Sequence, residues 1–264
     1  LLAVGYAYLR PDPEKPIGNP ETGGLLDDFV FYSISEDNGE TWSDLKTIEC
    51  AWGPHVEASA PLYVLQDGSL ITPITGFPAW DGSMTGPDAG RALRSYDGGN
   101  TWEDSAICMQ FDERVTCYEQ RMCQLDSGAI ICIGWNENLV TGERLNNHYT
   151  ASFDNGKTWT EEKCVLQPTP DSYDHYSCCD PGVIYFNGYY YIGYTSTVNA
   201  NMCDNCIFVA RSENPDGPFE KWNGNGWGGD KPQPIVFFSE PQNLWGHGEI
   251  SFVELNGTLY IYYT

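Results

Sequence analysis

Three features of the sequence predict an all-β fold, a β-propeller of four-stranded antiparallel blades. The pattern Ser-x-Asp-x-Gly-x-Thr-Trp occurs at residues 35–42, 95–102 and 152–159, its starts 60 and 57 residues apart. Between the copies recurs a second unit, an apolar strand, a short turn and another apolar strand. No segment sustains a helical period over 11 residues. Four-stranded units repeating at about 60 residues match the propeller architecture.

Each element has a local reason. In the eight-residue pattern, Asp and Gly suit a tight turn, the Asp side chain accepting backbone N–H bonds. The Trp can pack under that turn, and the Ser and Thr ends suit strands, so these aspartates read as fold staples. A degenerate fourth copy starts at Ser212 and runs to Gly217 and Phe219. The second unit turns at Gln66-Asp-Gly-Ser69, Asp126-Ser-Gly128, Asn187-Gly188 and Asn256-Gly257. Asn-Gly and Asp-Gly between alternating apolar residues are the strongest short hairpin signals. Blade one then lacks its first strand, blades two to four are complete, and the last stops after two strands. The reading is one β-propeller domain over 1–264, truncated at both ends, with five or six blades in the intact protein.

Composition narrows the function. The 264 residues carry 13 Lys+Arg against 37 Asp+Glu, a formal charge of −24. Such an acidic surface repels phosphate, which argues against nucleic acid and against an anionic membrane. No apolar run approaches the ~20 residues of a membrane span.

The strand order assigns loops to faces. Hairpin turns of two to four residues fall on one face. Long connections, expected at 10–28, 76–90, 135–147, 195–206 and 222–248, fall on the other, where function is expected. Counting back from the hairpin glycines places Glu119, Asp180 and Glu249 at equivalent inner positions of three consecutive blades. Blade two has Ser59 there, with Glu57 two residues earlier on the same strand face. With 37 acids in 264 residues, solvated strand-start acids are the bland alternative to a functional carboxylate cluster. A cluster would suit glycoside cleavage, which uses one carboxyl group as acid and another as base or nucleophile. Crowding like charges raises at least one pKa and keeps a proton available.

The turn pattern, with Leu1-Leu-Ala-Val-Gly followed by Arg10, resembles the sialidase superfamily over roughly residues 1–165. Its repeated turn is called the Asp-box or BNR repeat. From Asp180 onward, Asp180-Pro-Gly-Val-Ile-Tyr-Phe-Asn-Gly188, Ala210-Arg-Ser-Glu-Asn-Pro-Asp-Gly217-Pro-Phe-Glu220 and Gly248-Glu249 resemble glycoside hydrolase family 43 and its five-bladed relatives. That resemblance implies Glu119 as base, Asp180 as pKa modulator and Glu249 as acid. Glu119 stands where the family has Asp, and Asp180-Pro181 is as similar to the base motif, so these two roles could be exchanged or shared. The sialidase resemblance implies a substrate-gripping role for Arg10. Asp12 follows it at a shorter spacing than the family's acid, and the nucleophilic Tyr has no match. Arg121 either binds ligand or pairs with Glu119 or a neighbour.

Sugar sites present aromatic platforms and planar polar groups. Trp52, Trp80, Trp135, Trp227 and Trp245 are assigned to the long connections. Trp135 and Trp245 are the platform candidates, and His247, beside Glu249, is a further binding candidate. No cofactor motif and no metal site is assigned. Cys178, Cys179, Cys203 and Cys206 could form disulfides, remain thiols or bind zinc. The expected protein is a secreted or cell-surface glycosidase acting on a poly- or oligosaccharide through a central carboxylate cluster. The alternatives are a non-catalytic glycan-binding propeller and an exo-sialidase.

Overall fold

The computed structural model describes residues 1–51, 53–84, 86, 88–201, 203–238 and 245–264, those at 104 and 105 by backbone alone. Among the described residues there is no α-helix, and so none long and apolar enough to cross a membrane.

The strands follow the predicted rhythm. β1 (Leu2–Tyr8), β2 (Asp28–Ile34) and β3 (Lys46–Ile48) form a three-stranded sheet. β4 (Val56–Glu57), β5 (Tyr63–Val64), β6 (Leu70–Gly76), β7 (Gly90–Ser95) and β8 (Glu103–Met109) form the next, in the order β4-β6-β7-β8. β5 also pairs with β6 there, at Tyr63↔Ile71. β4 and β5 are thus two pieces of one inner strand. Pro61 lies between them and has no N–H for the ladder.

The third sheet comprises β9 (Val115–Gln124), β10 (Ile130–Asn138), β11 (Arg144–Ser152) and β12 (Lys163–Leu166), in sequence order. The fourth is β13 (Cys179–Phe186), β14 (Tyr189–Ser196), β15 (Cys206–Ser212) and β16 (Glu220–Lys221). β17 (Ser251–Leu255) and β18 (Thr258–Tyr262) pair as a hairpin.

Contacts divide the chain into two compact units, 1–130 with 151–161, and 131–150 with 162–264. The first unit's core is built on Val30, Tyr32, Ile48, Val56, Ile74 and Leu93. The second packs Ile133, Leu166, Ile192, Tyr194 and Phe208, the last two rings stacked at 5.3 Å.

The repeated turns share one bonding pattern. In each, the Ser Oγ donates to the Asp (Ser35→Asp37 2.8 Å, Ser95→Asp97 2.9 Å, Ser152→Asp154 2.9 Å). The Gly N–H donates to that Ser Oγ at 2.7–2.8 Å. The Thr gives its N–H and its hydroxyl to the two Asp oxygens. These bonds hold Asp37 and Asp97 down at about 2 and Asp154 lower still. Trp102 and Trp159 close the turn by donating Nε1–H to the Gly carbonyl. Trp42 also lies under its turn, its Cζ2 3.9 Å from the point a Gly39 Cβ would occupy, but stays 46% exposed. In the degenerate copy, Asn214 takes the Asp position and donates its N–H to Ser212 Oγ.

Asn187-Gly188 and Asn256-Gly257 are two-residue turns with positive φ at both positions (48° and 86°; 53° and 77°), the twist a tight hairpin requires. One predicted connection is corrected. β10 runs on to Asn138 and β11 begins at Arg144, so the loop expected over 135–147 is only 139–143. The Asn138 side chain accepts the Val140 and Thr141 N–H groups and closes a tight turn there. Trp135 therefore lies within a strand.

Candidate active site

In the second unit, Asp180 and Glu249 come together. Their carboxylate oxygens lie within 4.8 Å of one another. Asp180 is half-buried and Glu249 exposed. Asp180 is the second residue of β13, where the register with β14 slips between Cys179↔Thr195 and Gly182↔Gly193. Such a bulge re-aims a side chain, and here Asp180 takes φ 49°.

Two glycines bring Glu249 alongside. A Cβ on Gly182 would stand 2.5 Å from the Ile250 carbonyl oxygen. One on Gly193 would stand 2.8 Å from Ile250 Cγ2 and from the Phe252 ring. Because both lack side chains, the chain at Ile250 lies directly on β13 and β14, and the residue before it reaches Asp180. Gly248 matters likewise, since a Cβ there would be 3.2 Å from Asp180 Oδ2. The approach is anchored by Gly248 and Thr264, whose N–H groups each donate to the other's carbonyl (3.1 and 3.0 Å). The His247 N–H donates to Asn205 O, and the Asn205 N–H to Trp245 O.

His247, half-buried, packs edge-on to Tyr263 with ring centroids 5.1 Å apart, its Nδ1 3.4 Å from Thr264 O. Trp245 is 75% exposed, open enough to serve as a platform. Thr195, opposite Cys179 on β14, was not singled out by the sequence. Its Oγ1 is buried without a hydrogen-bond partner and lies 3.7 Å from the point a Gly248 Cβ would occupy, on Asp180's side.

In the first unit, Glu119 lies within β9 at φ 46° and is half-buried. Glu249 has φ 54°. The three acids thus share a left-handed backbone that non-glycine residues rarely adopt, and such outliers concentrate at functional sites. Glu57, on β4 opposite Thr75, gathers a second cluster. Burial raises the pKa of its carboxyl, opposed by a hydrogen bond with Ser59, the charge of Arg121 and a hydrogen bond with Tyr6. Arg121 is buried and donates to Gln120 O at 3.2 Å. Tyr6 is pushed up chiefly by burial, then by the Glu57 charge. The sequence marked Glu57 and Arg121 but read Tyr6 only as part of a strand.

Other candidates make contacts within the chain. Arg10 is exposed and donates to the carbonyls of Pro13 (2.5 Å) and Lys15 (3.0 Å) in its own loop. Lys15 lies 3.8 Å over the Trp80 ring, and Trp227 packs on Trp222, Tyr191 and Arg211. Trp52 lies outside the described residues. Cys178 is buried, and burial drives its thiol well above the usual range.

No family model matches the chain, and no curated protein does. Solved structures do. A protein of unknown function from Dyadobacter fermentans aligns over 99% of this chain and 67% of its own (TM-score 0.64, 16% identity). A thermostable family-43 glycoside hydrolase aligns over 100% and 84% (TM-score 0.59, 16% identity). A Hadza microbial sialidase aligns over 98% and 46% (TM-score 0.59, 14% identity). At these identities the likeness is one of fold. The chain is an all-β protein of the β-propeller class, and it shares that fold with glycoside hydrolases.

Proposed function

We propose that the chain forms a single propeller domain and hydrolyses glycosidic bonds of a poly- or oligosaccharide. Glu249 protonates the leaving oxygen, and Asp180 orients Glu249 and sets its protonation. Glu119 is the third carboxylate, acting as base toward water. The observation that carries this reading is the approach of the Asp180 and Glu249 oxygens to within 4.8 Å, built by a bulge and two glycines. Glycoside cleavage needs one carboxyl that gives a proton and one that stays ionised, and these two groups stand close enough to divide the roles. Glu119 is included on its repeat-equivalent position and its shared left-handed backbone.

The test is turnover by the purified chain on a panel of 4-nitrophenyl glycosides and plant and bacterial polysaccharides. Glu249→Gln is expected to lower turnover by about 10³-fold or more while the circular dichroism stays native. Unchanged turnover would remove Glu249 from the acid role. A second reading, an exo-sialidase, is favoured by Tyr6 and Arg121 standing near enough to Glu57 to act on its charge. Release of sialic acid from a fluorogenic sialoside, lost in Tyr6→Phe, would support it. Glycan binding without any hydrolysis would favour a binding propeller instead.

A further inference from the structure

A cavity of about 190 Å³ opens in the loops around the fourth sheet, lined by Asp171, Ser172, Tyr173, Val198, Lys231, Pro232 and Gln233. Tyr173 belongs to the segment leading into β13 and Val198 to the segment leaving β14. The cavity is therefore at the end of the sheet where Asp180 sits, and it uses neither Asp180 nor Glu249.

Its wall is mostly apolar, with polar residues contributing a smaller part. Tyr173, Val198 and Pro232 supply apolar surface. Tyr173 is 44% exposed and Val198 44%. Phe237, 51% exposed, meets Tyr173 edge-on at 5.8 Å. So many large apolar side chains left in water at one place mark a contact surface.

The polar members are held in position. Lys231 Nζ donates to Asp171 O at 3.1 Å, and the Asp171 N–H donates to His175 Nδ1 at 3.0 Å. Asp171 itself has φ 56°. The Gln233 N–H donates to Trp222 O, and Gln233 lines the cavity. The loop is backed by Asp174, which is buried and accepts from Ser172 Oγ, from the Tyr194 hydroxyl and from Lys221. Tyr173 thus stands between two positioned residues.

We propose that this cavity binds one sugar residue, its ring against Tyr173 and its hydroxyls toward Lys231, Gln233 and Asp171. At about 30 Å³ per water, the space equals roughly six waters, the size of a single monosaccharide ring. An aromatic wall takes the C–H face of a pyranose or furanose, and a cation, an amide and a carboxylate take its edge. The choice of a sugar rests on the glycosidase reading, but binding here needs no turnover. The site would hold a remote unit of a chain whose scissile bond lies at the carboxyl pair.

Saturation-transfer NMR with the methyl glycosides of arabinofuranose, xylopyranose and galactopyranose tests it on the full chain. At least one glycoside is expected to bind the wild type and Glu249→Gln alike. Tyr173→Ala should weaken that binding tenfold or more, and Tyr173→Phe should retain it. Val198→Trp, which fills the cavity from an exposed position, should block it without removing the ring. The site is refuted if none of the three glycosides binds, or if Val198→Trp and Tyr173→Ala bind as the wild type does. Binding without hydrolysis in the wild type would overturn the catalytic reading and leave this site standing.

Discussion

Asp28 shows how a single buried acid shapes the response to pH. It is 5% exposed, and its Oδ1 accepts the N–H groups of His55 and Val56 at 3.1 Å. Its Oδ2 is buried with no hydrogen-bond partner. Burial pushes the carboxyl up to about 6, against the two N–H bonds. The folded state then holds the proton more tightly than the unfolded chain, so stability falls as pH rises from about 4 to 6, by on the order of 3 kcal/mol. Asp28→Asn keeps an acceptor for both N–H groups and removes the charge. Its unfolding free energy should exceed that of the wild type at pH 7.5 and match it near pH 4; a deficit at pH 7.5 would contradict the account. The aspartates of the repeated turns act in the opposite sense. Asp37 and Asp97 are held at about 2, so their contribution is present above about pH 4 and lost as pH falls toward 2. Thermal melts between pH 4 and 2 should show that loss, and Asp97→Ala should already lower the midpoint at pH 7.

At the scale of elements, the site depends on what is missing from two strands. Gly182 and Gly193 admit Ile250 to a distance no side chain allows. Gly182→Ala places a Cβ against the Ile250 carbonyl and should cost about 1–3 kcal/mol of stability. It should also lower turnover by about 10²-fold, since a displacement of about 1 Å is enough. Gly226→Ala, with nothing within 4 Å of its Cβ, is the matched control and should leave both unchanged. Equal effects from the two substitutions would contradict the packing argument. The turns were legible in sequence because their chemistry is local. Asn187-Gly188 needs no distant partner, and the Ser-x-Asp-x-Gly-x-Thr-Trp turns satisfy themselves within eight residues. The break between β4 and β5 at Pro61 is local too, but it hides inside an apolar run. The early end of the 139–143 loop was not legible, because Asn138 closes it through a side chain whose role the pattern does not reveal. The Asp180–Glu249 approach could be anticipated from repeat position. The glycines that permit it could not, because the atoms they admit lie more than 55 residues away. Nor could Thr195, which is marked only by a hydroxyl left without a partner.

At the scale of the whole molecule, sheets of three, four, four and four strands and a hairpin succeed one another along the chain, with β5 a broken piece of the second. The fold is recognised by structure at 14–16% identity where no family model matches. Short-range turn chemistry and strand alternation preserve the architecture while most side chains change. The surface carries a formal charge of −24, and self-repulsion of that size opposes the compact state. Raising NaCl from 10 to 150 mM shortens the screening length to about 8 Å and should raise the thermal midpoint; a fall would mean that attractive pairs dominate instead. The central claim is that Glu249 delivers the proton to the leaving group. The most direct test compares Glu249→Gln on two glycosides of the same sugar, one with a 2,4-dinitrophenyl leaving group that needs no proton and one with an alkyl leaving group that does. The account predicts near wild-type turnover on the first and a loss of about 10³-fold or more on the second, whereas an equal loss on both, or none on either, would contradict it.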